Sequence, residues 1–326
     1  MHITQNRREL IRTNDLVRLG LAGLVILTNA WPAHARKSAA EELASIHASK
    51  AGVDAKNNFW AWDKQRGVVT RITPNGDRIE SDIVPDGWTV DADPKRGIAI
   101  LSEDGRIIDI VDWSGSKKHS IHLLHKATDV AWLSGTHIAV TPQTTGPCVE
   151  IWDASTGEYL SGFGKCPDIV PPVPGMVVAR ATLLRYDPTH REIVTFDAFR
   201  TDLSAFSESG SLTRHSHVPH STTPEFDAWL KKIDAKAKAQ GGSSTEIIFW
   251  YPSITIAPDR SVWLGQDADS KGITAVTILQ DGTVQRARID VPQCPSNRMI
   301  AWNDDLVFYR DPRYPQPLCS TVRRRK

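Results

Sequence analysis

The chain has 326 residues, 39 Lys and Arg against 38 Asp and Glu, a formal charge of +1 and 40% hydrophobic residues. Such a length and apolar content exclude a chain disordered throughout and suffice for a large core. The balanced charge gives no electrostatic reason to bind nucleic acid or an anionic membrane.

Residues 1–35 read as an export signal. Arg7, Arg8, Arg12 and Arg18 form a basic region, Leu19 to Ala30 is an uninterrupted run of apolar and small residues, and Ala33-His34-Ala35 offers the small residues that signal peptidase accepts. The run is too short for a permanent span, which takes about 20 residues. Cleavage after Ala35 is expected, and an uncleaved N-terminal anchor is the alternative. Losing four Arg and two acids moves the formal charge from +1 to −1. Asn6-Arg7-Arg8-Glu9-Leu10-Ile11-Arg12 resembles the twin-arginine motif, with Leu10 and Ile11 where Phe and Leu are usual, so the export route stays open. A periplasmic or secreted protein follows, with no stable membrane span after cleavage.

Residues 36–57 form a leader. Lys37 to Lys50 has helical character, with a possible capping box from Ser38 to Glu41 and Leu43, Ile46 and His47 on one side, and is expected to pack on the outside. Repeats begin at Asn58 and run to the end of the chain. Their second strands start at Phe59, Ile98, Ile138, Ile193, Val262 and Leu306, at intervals of 39, 40, 55, 69 and 44 residues. A period near forty, interrupted by two insertions and filled by short strands and turns, is the signature of a β-propeller. The fold class is therefore all-β: a single β-propeller over 58–326 with six blades, an N-terminal signal helix and one helical insertion. Unit one lacks an inner strand and the sixth unit is cut short, so the two termini are expected to share a blade.

The insertion spans 221–242. Thr223 is placed to cap a helix, Pro224 falls in its first turn, Phe226, Trp229, Leu230 and Ile233 share a face, and Gly241-Gly242 stops it. Because it leaves a fourth strand and feeds a first strand, it is expected to lie over or beside the channel mouth, next to Trp250 and Tyr251. The turns Pro74-Asn75-Gly76-Asp77 and Asp281-Gly282 join strands in tight hairpins. Through such turns 58–325 resembles the six-bladed propeller superfamily of NHL-repeat proteins and gluconolactonase or strictosidine synthase type enzymes. Ile151-Trp152-Asp153-Ala154-Ser155-Thr156-Gly157 looks more like a WD40 or quinoprotein repeat, but it occurs once.

Cys148, Cys166, Cys294 and Cys319 fit an oxidising compartment, and pairs 148–166 and 294–319 each close within one unit. No CxxC spacing points to zinc. His119, His122 and His125, and His215, His217 and His220, map to fourth strands, where edge polarity that blocks strand addition explains them, so no metal site is expected.

Function is expected at the channel rim. The repeat register places Asp86, Trp88, Lys126, Asp129, Arg180, Trp250, Tyr251 and Arg298 on or near the loops that lead into first strands. It places Asp63, Asp197, Arg200, Asp267 and Arg310 on the loops from second to third strands. The family resemblance implies a Glu, an Asn and an Asp around one divalent cation, commonly Ca²⁺, that polarises a lactone or ester carbonyl. This chain offers Asp but no Glu at matching places. The expected function is a non-catalytic binding or scaffold propeller without a cofactor, whose partner is an envelope protein or a small molecule. A Ca²⁺-dependent lactonase or esterase-like hydrolase is the alternative.

Overall fold

Each repeat supplies short apolar, β-branched strands joined by Asp, Asn and Gly turns, and such strands bury both faces only when sheets stack on both sides. The computed structural model describes Leu43, Ile46 and residues 48–323, apart from 83–86, 167, 169–175, 179–180, 220–223, 240–243, 247–250, 269–271, 292–297 and 310–318. The signal segment, the capping box and the proposed termini of the insertion helix lie outside them.

The first sheet holds β1 (Lys50–Val53), β2 (Phe59–Asp63), β3 (Val68–Ile72) and β4 (Arg78–Asp82), and the second β5 (Thr89–Asp93), β6 (Gly97–Leu101), β7 (Ile107–Val111) and β8 (Lys117–His122). The third holds β9 (Ala127–Trp132), β10 (His137–Pro142), β11 (Val149–Asp153) and β12 (Tyr159–Phe163), and the fourth β14 (Thr182–Asp187), β15 (Glu192–Asp197), β16 (Asp202–Ser207) and β17 (Leu212–His217). The fifth holds β19 (Ser253–Ile256), β20 (Val262–Ala268), β21 (Gly272–Ile278) and β22 (Val284–Asp290). Last comes a three-stranded sheet of β23 (Arg298–Trp302), β24 (Asp305–Tyr309) and β25 (Cys319–Arg323). Within every one of these sheets the strands run antiparallel in sequence order. Gly76 and Gly282 take φ of 92° and 85° in their predicted turns, a region open to glycine.

The propeller thus has five complete blades where the sequence predicts six, and the three-stranded sheet fills the remaining arc. Three strands are enough there because outer strands contribute little to the seams. The last sheet packs on its neighbours through Met299, Ala301, Leu306 and Phe308 on one face and Ile300, Trp302, Val307 and Tyr309 on the other, all from β23 and β24. Two further expectations are corrected. Unit one has its own inner strand, β1, inside the predicted leader, and it pairs with β2 from Lys50↔Trp62 to Val53↔Phe59. Among the described residues the two ends of the chain share no strand ladder. Instead Leu43 and Ile46, expected on the outside, are buried in the seam between the first and last sheets with Ala51, Phe59 and Trp302. Side-chain packing closes the ring.

Every seam has its own apolar cluster, so the core is a ring of wedges around a central channel. Second strands such as β2 and β6 are buried at all positions, whereas β12, β17 and β22 are mostly exposed. His119 and His122 sit on β8 and His215 and His217 on β17, the outer strands that the sequence assigns them. His217 Nδ1 lies 2.8 Å from Asp202 Oδ1 of its own blade.

Both long insertions leave a fourth strand and feed an inner one. β13 (Met176–Val178) of the first pairs in parallel with β18 (Ser244–Glu246) of the second, and the predicted helix forms as α1 (Pro224–Ala239) beside β18. The side chains of its apolar face lie outside the described residues. Among the described residues no helix is long and apolar enough to cross a membrane.

Cys148 and Cys166 form the predicted disulfide, with Cα atoms 5.0 Å apart, across the open end of the β11–β12 hairpin. The 294–319 pairing lies outside the described residues. A loop of this length predicts that Cys148→Ser with Cys166→Ser costs about 3 kcal/mol in denaturant unfolding. Mass mapping that joins Cys148 to Cys294 or Cys319 contradicts the pairing.

Candidate functional site at the channel mouth

An inner strand pairs on one side only, so its other edge presents unpaired backbone groups to the channel. Side chains of the adjacent inner strand meet them. Asp91 Oδ2 accepts from Trp132 N at 2.7 Å, and Asp129 Oδ2 accepts from Leu184 N at 3.0 Å. Ser253 Oγ accepts from Met299 N at 3.1 Å, and Thr255 Oγ1 from Ala301 N at 2.9 Å. Thr128 Oγ1 donates to Thr182 O at 3.1 Å.

Asp129 is the centre of this network. Its Oδ1 accepts from Lys50 Nζ at 2.5 Å, Thr89 Oγ1 at 3.2 Å and Val130 N at 3.0 Å. Lys50 Nζ also donates to Thr89 Oγ1 at 2.6 Å, and Arg185 Nη1 stands 3.6 Å from Asp129 Oδ2. One carboxylate therefore joins β1, β5, β9 and β14. Burial pushes the Asp129 carboxyl up, but the Lys50 and Arg185 charges and the donors on its oxygens outweigh it and hold its pKa below the ordinary value. Burial pulls the Lys50 ammonium down, a direction that Arg185 reinforces and Asp129 opposes. Burial raises Asp91, one strand away, despite Lys50.

These groups floor a cavity of about 250 Å³ at the end of the channel where inner strands begin. Lys50, Thr89, Thr182, Ser253 and Arg298 are the first residues of β1, β5, β14, β19 and β23, and all line it. Trp62, Lys64, Trp88, Gln143, Arg185 and Tyr309 complete much of the wall. At the opposite end a second cavity, about 230 Å³, is lined by Trp60, Asp91, Arg96, Trp132 and Tyr186, and Arg185 borders both.

Three of the predicted site residues come together at the mouth: Trp88, Asp129 and Arg298. Trp88 is 44% exposed and its Nε1 donates to Thr128 O at 3.1 Å. The others described do not join them. Asp63 and Asp197 fold back on their own turns, where Asp63 Oδ1 accepts from Gln65 N and Arg66 N at 3.1 and 3.2 Å, and Asp197 Oδ1 from Phe199 N and Arg200 N at 3.0 and 2.9 Å. Arg200 pairs with Asp202 at 3.0 Å, and Lys126 is exposed outside the cavity lining. Tyr251 is a core residue, wholly buried in the seam of the fourth and fifth blades, edge-on to Phe196 at 5.4 Å. Asp86, Arg180, Trp250 and Arg310, and the side chain of Asp267, lie outside the described residues. Sequence reasoning missed Lys50, Thr89 and Arg185. The signal for them is position at or near the start of an inner strand, once β1 is recognised.

The cation centre implied by the gluconolactonase-type resemblance does not fit this floor. Both Asp129 oxygens are engaged by protein donors, and Lys50 Nζ occupies the position in front of Oδ1. Among the described residues no group of three or more His, Cys, Asp and Glu is arranged to hold a metal ion.

Fold and site define a β-propeller with a polar, cation-lined channel mouth. No protein-family model and no curated protein matches the sequence. Among solved structures, the chain is similar to virginiamycin B lyase from Staphylococcus aureus, with TM-score 0.50 and 11% identity over 83% of this chain and 79% of that one. It is also similar to a member of the DUF4221 family from Bacteroides vulgatus, with TM-score 0.52 and 10% identity over 85% and 93%. At such identities the likeness concerns the β-propeller fold alone.

Asp129→Asn leaves the Lys50 charge buried without its partner, which predicts a loss of about 3–5 kcal/mol in denaturant unfolding. The pH dependence has a definite sign. The stability tied to the depressed Asp129 pKa is present above the unfolded value of 3.8 and lost as pH falls through the lower native value, so the variant has a flatter acid limb. A variant as stable as the parent, with the same acid limb, contradicts this role.

Proposed function

We propose that this chain is an exported, non-catalytic propeller that binds a small anionic molecule in its channel mouth. The observation that carries the reading is the charge of the lining among the described residues: Lys50, Lys64, Arg185 and Arg298 against the one carboxylate of Asp129. Lys64 is partly neutralised by Glu103 outside the lining, which leaves the cationic excess around the floor. In a concave, partly desolvated site such an excess favours anions.

Trp88 and Tyr309 add flat apolar walls, which suit an aromatic or sugar acid. Export is supported by the basic and apolar pattern of residues 1–35 and by the 148–166 disulfide. The resemblance to NHL-repeat and gluconolactonase-type propellers rests on the turns. The hydrolase it suggests needs carboxylates free to ligate a cation, and Asp129 is already committed.

Calorimetric titration of the purified protein with benzoate, citrate and inorganic phosphate, and with benzylammonium as a cationic control, tests the reading. The anions are expected to bind and the cation not, and Arg298→Ala is expected to weaken anion binding about tenfold or more. Preference for the cation, or Ca²⁺-dependent turnover of lactones or esters, overturns it.

A further inference from the structure

The cavity at the far end of the channel, where inner strands finish, holds about 230 Å³. Among the described residues its charges balance, Asp54, Asp91 and Asp93 against Arg96, Arg185 and Arg191, so the lining gives no net preference for a charged ligand. Most of these groups are already engaged. Asp54 Oδ1 accepts from Lys56 N and Asn58 N at 2.8 and 3.0 Å, and Asp93 Oδ2 binds Arg96 Nη2 at 2.8 Å. Arg185 Nη1 donates to Leu184 O at 2.6 Å beside Asp129, and Arg191 Nε donates to Glu208 Oε2 at 2.8 Å. Asp91 differs. Its donors among the described residues are backbone N–H groups, Trp132 N at 2.7 Å and the adjacent Ala92 N, and no Lys or Arg forms an ion pair with it. A carboxylate has about four lone-pair sites, so Asp91 keeps acceptor capacity inside the cavity.

We propose that this cavity is a second binding site, for an uncharged polyol of monosaccharide size whose hydroxyls donate to Asp91. A hydroxyl brings no charge into a balanced lining, and it donates inward while accepting at the rim. Arg191 is exposed at that rim, with Nε and Nη2 turned to Glu208 and Ser134 and Nη1 without an acceptor among the described residues. Val53, Tyr186 and Pro188, each partly exposed, give the C–H edges of a ring an apolar wall. The volume admits one ring. An anion meets arginines that already have partners, and a cation is set against Lys50 and Arg185, whose charges act on Asp91.

The wall is formed before any ligand arrives. Arg96 joins the second blade to the third, over the Trp132 ring at 4.6 Å and donating to Gly135 O at 2.7 Å. Glu208 Oε1 accepts from Tyr186 Oη at 2.5 Å and from Ser134 N at 3.1 Å. Binding therefore needs little reordering.

Ligand-observed NMR on the full protein with D-glucose, D-galactose, D-mannose and myo-inositol tests the proposal. At least one is expected to bind, and to stay bound in excess benzoate, which is directed to the other mouth. Asp91→Asn replaces one acceptor oxygen by a donor amide at nearly equal volume, and is expected to weaken that polyol about tenfold or more. Arg191→Asn, a residue type that tolerates the φ of 54° at this position, is expected to weaken it severalfold with the circular dichroism spectrum of the parent, and it decides the matter if Asp91→Asn does not fold. Binding of none of the four, displacement by benzoate, or an affinity indifferent to both variants overturns the proposal. So does an Asp91-dependent preference for benzylammonium.

Discussion

Inner strands standing side by side around an axis each leave one backbone edge without a ladder partner, and unpaired backbone groups are costly when water is excluded. Here the neighbouring blade supplies the partner. Asp91 serves Trp132, Asp129 serves Leu184, and Ser253 and Thr255 serve Met299 and Ala301. These bonds fix how far one blade is offset from the next along the channel, which apolar wedges alone do not specify. The seam clusters supply non-directional burial energy, and the polar staples supply register. Closure between the first and last sheets follows the same division, with Leu43 and Ile46 adding apolar bulk where the described residues share no strand.

Choosing a carboxylate as a staple has an electrostatic consequence. A buried anion needs compensation, and Asp129 receives it from Lys50 on one side and Arg185 on the other. Two cations meet one anion at the floor of the mouth, and Arg298 adds a third at the wall. The device that holds four inner strands together therefore also biases the cavity above it toward negative ligands. Under the proposed function, structure and recognition would share the same few atoms, and Arg185 borders the cavities at both ends.

Much of this was legible in the sequence because it is local. Hairpin glycines, the apolar runs of second strands, the insertion helix with Pro224 at its start, and the Cys148–Cys166 pair are each decided within a few residues of chain or within one blade. What failed is non-local or ambiguous. Lys50–Val53 reads Lys-Ala-Gly-Val, a weak strand former next to a helical pattern, and becomes a strand only because Phe59–Asp63 offers it a ladder. Asp63 and Asp197 look like rim ligands by register, but an Asp at a strand end usually bonds its own turn, as both do. Tyr251 follows an insertion and reads as a rim residue, although the seam it fills is built from residues far away in sequence. The blade count failed because the N-terminal segment expected to complete the short sixth unit pairs as β1 with β2 of the first sheet instead, which leaves the last sheet with three strands among the described residues.

The Asp129 carboxylate both bonds the neighbouring blade and compensates two cations, and chemical rescue addresses both at once. The melting temperature of Asp129→Ala is measured in chloride and in acetate at equal ionic strength, beside the parent protein. Removing the side chain opens space beside Lys50 and Arg185, so acetate is predicted to restore stability to the variant and to do little for the parent. Equal responses to the two salts in both proteins would contradict the claim that this position holds the blades together by presenting a carboxylate to those cations.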